Sequence, residues 1–192
     1  MLGLKGRTES RWLEQVDRDL QAILVDHAHC EKKAAGTAMN LIFAYGTVSA
    51  AICRELSAIV IEELDHFQLV LEMLKRRGIR FASQKPSPYG RKLNELVRPS
   101  EPERAIDRLL VASLIEARSC ERFSLLRDHV ADAELVEFYG SLFESEARHH
   151  STYVQLAGHF GAETAIRARL EELAVEEARI IAEGDALPRM HS

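Results

Sequence analysis

A chain of 192 residues, 46 % apolar and 29 % charged, is long enough for one domain with a sizeable core and too apolar to be disordered. Its net charge of −5 excludes a uniformly basic nucleic-acid binder, and no apolar run approaches the ~20 residues of a membrane span. The opening "MLGLKGRTES" lacks the apolar stretch of a signal peptide, and Cys30, Cys53 and Cys120 form no CxxC pair, so a cytoplasmic protein with reduced thiols is expected.

Alternation with a period of two is scarce, and the chain reads as all-α. A first helix is expected over about 9–44, with Ser10 able to cap its start, a kink or split near Gly36, and Gly46 near its end. A second is expected over about 48–77, ending at Gly78 with cations in its last turn, as the helix dipole favours. Residues 78–101 lose the helical period and contain Pro86, Pro88, Gly90 and Pro99. That length is too great for a hairpin and suits a crossover along a bundle.

A third helix follows Ser100, with Pro102 in its first turn and Glu103 three residues past the serine, and ends near His129. The fourth spans about 132–159. A fifth, amphipathic helix over about 163–183 should pack on the outside, and the last residues, "ALPRMHS", should fray. Two long helices, a crossover and two more long helices describe a ferritin-like four-helix bundle. The expectation is one domain over 1–192, with a bundle core of about 9–160.

Charge is unevenly spread. Residues 75–98 hold eight basic side chains and one acid, a local +7 that leaves −12 for the remainder. Such polarity fits docking of a polyanion on one face, with Lys85, Arg91 and Lys92 as candidate contacts. Tyr89, among these cations, is a candidate to stack on a base.

Two short stretches carry the chemistry. In "IEELDHF" (61–67), Glu63 has Leu56, Ile59, Phe67 and Val70 at helical neighbour positions, so it lies on the apolar face with His66 one turn on. Glu62 belongs to the outer face. In "SEARHH" (145–150), Glu146 and His149 repeat the arrangement, Glu144 reads as surface, and His150 competes with His149. Glu31 sits among Leu24, Ala28, Ala35 and Ala38. Glu116 sits among Leu109, Ala112, Cys120 and Phe123, with Glu121 as an alternative. Glu31 precedes Glu63 by 32 residues and Glu116 precedes Glu146 by 30, an equal depth in both halves that prefers Glu116 over Glu121.

Four carboxylates facing one core need a cation or protons to offset them. A Glu from each of two helices plus Glu-x-x-His from two others is the di-metal carboxylate pattern, and its oxygen-rich donor set suits iron or manganese. Asp65 is a candidate to orient a histidine.

The stretches "DHAHCEKKAAGTAMNLI", "EELDHFQLVLEMLKRRGI", "LIEARSCERF" and "ESEARHH" together resemble the bacterial tRNA hydroxylases acting on 2-methylthio-isopentenyladenosine, the MiaE family, over about residues 12–159. The resemblance implies a non-haem di-iron monooxygenase. It would use O2 and two electrons from an external donor, such as a reductase, to hydroxylate an isopentenyl group beside the anticodon. It also implies that Glu63 and Glu146 bridge two irons, that Glu31 and Glu116 are terminal ligands, and that His66 and His149 bind one iron each. A ferritin-like iron-storage or ferroxidase protein is the alternative, against which the basic crossover argues.

Overall fold

The computed structural model describes residues 2–192, which form seven α-helices and no strand among those residues. They are α1 (Ser10–Arg18), α2 (Leu20–Tyr45), α3 (Ala50–Arg76), α4 (Tyr89–Asn94), α5 (Glu103–His129), α6 (Ala133–Ala157) and α7 (Glu163–Glu183). No described helix is long and apolar enough to cross a membrane. The chain is all-α, with the helix order of a ferritin-like bundle, and divides into two compact units.

One unit comprises residues 14–87 and 187–190 and is built on the pair α2 and α3. The expected first helix is two helices, and the break lies at Asp19 rather than Gly36. The Asp19 side chain accepts a hydrogen bond from Ala22 N at 2.9 Å and so starts a new helix. Gly36 lies inside α2 with nothing crowding it. Gly46 is needed for another reason. Its φ of −60° suits any residue, but a Cβ there would lie 2.6 Å from Ile42 O and 2.7 Å from Cys53 Sγ. The tight return into α3 therefore has no room for a side chain.

Ser49 caps α3 by accepting from Ala51 N. Gly78, at φ +66°, ends it as expected: Gly78 N donates to Lys75 O at 3.1 Å and Ile79 N to Leu74 O at 2.8 Å. This pair of bonds satisfies the last carbonyls of α3. The chain then doubles back along α2. Ala82 O bonds His29 Nε2 at 2.9 Å, and Gln84 Nε2 donates to Ala22 O.

The other unit, residues 2–13, 88–186 and 191–192, is built on α5 and α6, with α4 and α7 against α5. The crossover thus contains a short helix, α4, that its prolines and lost period concealed. At the start of α5, Glu101 reaches forward to accept from Ala105 N at 3.0 Å. Asp132 caps α6 by accepting from Glu134 N and Leu135 N.

In α5, even polar positions are buried, because α6, α4, α7 and the N-terminal segment cover it. Arg118 and Arg122 are 0 % exposed. Arg118 donates to both oxygens of the equally buried Glu177 on α7, at 2.8 and 2.7 Å, and to Gly6 O at 3.1 Å. Arg122 lies over the Trp12 ring, 4.1 Å from its centroid, and donates to Ser192 O at 3.0 Å. Burial, and then the neighbouring Arg118 charge, pull the Arg122 guanidinium down to about 9.

Two expectations fail here. Tyr89 is 3 % exposed, donates its hydroxyl to Glu177 Oε1 at 2.9 Å and stacks on His191 at 4.9 Å, so it is an anchor of α4 and presents no ring to a base. The final residues do not fray. Residues 189–192 are each 7 % exposed or less, because their backbone and side chains find buried partners: Met190 N donates to Asp26 Oδ2 at 2.9 Å, and Arg189 Nε to Lys85 O at 2.8 Å.

Candidate metal centre

Each unit carries a buried triad of two glutamates and a histidine. In the first, α2 supplies Glu31 from the face that also buries Leu24, Ala28, Ala35 and Ala38. The small alanines leave room beside the carboxylate. α3 supplies Glu63 and His66 from the face of Leu56, Ile59 and Val70. His66 Nδ1 lies 3.9 Å from Glu31 Oε2 and 4.0 Å from Glu63 Oε2, and one donor atom from each of the three falls within 4.8 Å of the others.

In the second unit, α5 supplies Glu116, and α6 supplies Glu146 and His149 from the face of Leu135, Tyr139, Leu142 and Tyr153. Their donor atoms also lie within 4.8 Å of one another. Bonds of about 2.1 Å to one ion put its donors about 3–4 Å apart, so both triads need only small adjustments to hold a metal.

The electrostatics favour a positive charge beside these carboxylates. Burial, and then the charge of Glu31, hold the Glu63 carboxyl well above the usual range. Without a cation this side chain would resist ionising in its own folded environment. Carboxylates and imidazoles form the oxygen-rich, nitrogen-poor donor set of iron and manganese.

Competing ligands are engaged elsewhere. Glu121 accepts from Thr8 N at 3.0 Å and Thr8 Oγ1 at 2.8 Å and pairs with Arg118. His150 shares a 2.7 Å hydrogen bond with Ser113 Oγ. Glu144 is exposed, and so is Asp65, which therefore orients no buried histidine. Asp65 alternates outward because it lies two residues from Glu63 on a helix. Sequence reasoning missed His27. Fully buried, it bonds Glu31 Oε1 through Nε2, one turn earlier on α2. Burial and the neighbouring His66 hold its imidazole down to about 3, so it is neutral and donates that bond. The i, i+4 spacing was the available signal, but a histidine on an apolar face is common.

The candidate polyanion contacts differ among themselves. Lys85 is exposed. Arg91 and Lys92 on α4 pair with Glu95 and Glu183. Arg98 is committed to the buried Asp107, which Arg169 also grips.

Similarity to known proteins agrees with this geometry. Two curated relatives carry the name tRNA 2-(methylsulfanyl)-N(6)-isopentenyladenosine(37) hydroxylase. One, from Pseudomonas putida, is 40 % identical over 185 residues, covering 96 % of this chain and 89 % of the relative. The other, from Salmonella typhimurium, is 31 % identical over 233 residues, covering 96 % and 86 %. A solved structure, a Synechococcus protein with aldehyde deformylating oxygenase activity, superposes with a TM-score of 0.93 at 40 % identity, covering 98 % of this chain and 95 % of that one. Residues 2–192 match the family described as tRNA-(MS[2]IO[6]A)-hydroxylase (MiaE), and the chain belongs to that family.

Proposed function

We propose that this chain is an O2-dependent tRNA hydroxylase that inserts one oxygen atom into the isopentenyl group of 2-methylthio-isopentenyladenosine beside the anticodon. The observation that carries the proposal is the pair of matching buried triads, Glu31/Glu63/His66 and Glu116/Glu146/His149, in a member of this family. Both triads serve this one activity, and together they would hold two iron ions. Glu63 and Glu146 would be the carboxylates shared by the two irons, Glu31 and Glu116 would serve as terminal ligands, and His66 and His149 would each hold one iron. Four carboxylates then match the charge of two divalent ions.

The iron pair, when bound, supplies O2 activation with two electrons, a power that acid–base side chains lack toward an unactivated C–H bond. The balance is one C–H bond, O2, two electrons and two protons giving an alcohol and water. The electrons come from an external donor, such as a reductase. The protein's own residues do the rest. His27 fixes one oxygen of Glu31, the apolar faces around the triads exclude water and accept the prenyl tail, and the basic residues of 75–85, Lys85 included, meet the tRNA backbone. The cell compartment is the cytoplasm, where tRNA is found.

The test combines metal analysis with mass spectrometry of tRNA nucleosides after incubation with protein, reductant and O2. Iron near about two per chain and a gain of one oxygen on the modified adenosine are expected. Iron loading and ferrous oxidation that leave the tRNA unchanged would instead favour the ferroxidase reading.

A further inference from the structure

We propose that the anticodon loop docks on an aromatic and basic patch on the outer side of the α2–α3 pair, centred on Phe81, rather than on α4. The inference rests on the tRNA reading above and identifies the surface that serves it.

The patch is built by the chain after α3. That segment turns back at Gly78 and lays Phe81 against both helices. The Phe81 ring is 4.6 Å from the His29 ring on α2 and 5.7 Å from Phe67 on α3, and Lys32 Nζ sits 5.5 Å from its centroid. The three rings are half-buried, so each keeps an accessible surface while its orientation is held. Single-stranded RNA is bound by aromatic platforms flanked by cations, because every base has a face to stack and every linkage a phosphate.

The cations are in place. Residues 75–85 contain five basic side chains and no acid. Lys33, Lys75, Arg80 and Lys85 are exposed, and none has a carboxylate partner among the described residues. Lys32 and Lys33 extend this stripe on α2, sharing a face with His29. The cations of α4 contrast with these. Arg91 and Lys92 each face a carboxylate, so α4 presents little net positive potential.

The patch also lies beside the metal ligands. Lys32 follows Glu31 on α2, and Phe67 follows His66 on α3, so the same two helices bear ligands inward and the patch outward. His66 is the most exposed of the six proposed ligands, at 8 % against 4 % or less for the others. Access to the centre is therefore greatest next to Phe67. A base held at Phe81 is within about one helix diameter, ~10 Å, of the inward face, a span a prenyl tail can partly bridge.

The experiment uses the iron-loaded full chain and an anticodon stem-loop RNA bearing 2-methylthio-isopentenyladenosine, with binding followed across salt concentrations. The double variant Lys33→Ala/Arg80→Ala should weaken binding about tenfold near 0.1 M salt and reduce the salt slope by about 1.4. Phe81→Ala should weaken binding about tenfold with an unchanged slope, and Phe81→Tyr should restore it. Arg91→Ala/Lys92→Ala should change affinity less than about twofold, because α4 lies outside the proposed footprint and both of its cations are already engaged by carboxylates. Iron content, measured in parallel, should stay at the parental value in every variant. Parental affinity in Phe81→Ala or in the Lys33/Arg80 variant, or a larger loss in the α4 variant than in either, overturns the inference. A parent chain that leaves full-length tRNA unhydroxylated overturns the functional reading itself, which separates the two failures.

Discussion

Single residues decide whether the centre forms. Glu63→Ala or Glu146→Ala removes a carboxylate proposed to touch both irons, so iron content should fall by more than half while far-UV circular dichroism stays helical. Retention of full iron in either variant would refute the bridging role. Glu116 and Glu121 lie five residues apart on α5 but face different tasks. Glu116→Ala should strip iron, whereas Glu121→Ala should keep iron and cost about 1–3 kcal/mol of stability, because Thr8 and Arg118 lose their acceptor. Metal analysis and urea unfolding of the two variants separate these outcomes.

Asp107 gives a pH-dependent counterpart away from the metal. Its burial opposes ionisation, but hydrogen bonds from Arg98 and Arg169 outweigh that and hold it at about 2. A folded value below the ordinary carboxylate value of 3.8 means stability that is complete above about pH 4 and lost as pH falls toward 2. Asp107→Asn should therefore destabilise the protein at pH 7 and flatten its stability profile between those limits, measured by thermal melts.

At the scale of elements, two glycines that look alike in sequence differ in consequence. Gly36 lies in the middle of α2 with open space around it, so Gly36→Ala should stabilise by about 0.5–1 kcal/mol. At Gly46 a Cβ would press on Ile42 O and Cys53 Sγ, so Gly46→Ala should destabilise by about 1–3 kcal/mol. Chemical denaturation of the two variants should give shifts of opposite sign. The helix spans were readable because four long stretches keep a 3.6-residue apolar period. The break at Asp19 was not, since an aspartate between two periodic segments is equally at home on a helix surface. Helix α4 was hidden for a related reason: Pro88 reads as a breaker until its place before the first turn is known.

At the scale of the molecule, metal and stability are linked. An ion that binds only the folded chain stabilises it, so removal of iron with a chelator should lower the melting temperature of the parent. The same treatment should shift Glu63→Ala much less. Deleting residues 188–192 should lower the melting temperature of the iron-loaded protein by several degrees, since it frees Asp26, Arg122 and the ring face of Tyr89 at once. An unchanged melt would show that the buried tail contributes nothing to stability.

The sequence by itself determined the helical class, the crossover and the two Glu-x-x-His helices, because these follow from periodicity and spacing within single segments. It also made Glu31 and Glu116 readable, since each lies on an apolar face at matching depth. Only the tertiary structure decided what depends on partners distant in the chain. Glu121 is claimed by Thr8, 113 residues away, and Tyr89 by Glu177, 88 residues away. The tail is held by Asp26, 164 residues from Met190. Charge showed the same division. Residues 75–98 are basic by composition, but the carboxylates that meet Lys92, Glu183 of α7, and Arg98, Asp107 of α5, arrive from other helices, whereas Lys75, Arg80 and Lys85 meet no carboxylate among the described residues. A helix face is a local property, whereas pairing and burial are set by whichever side chains the fold brings opposite.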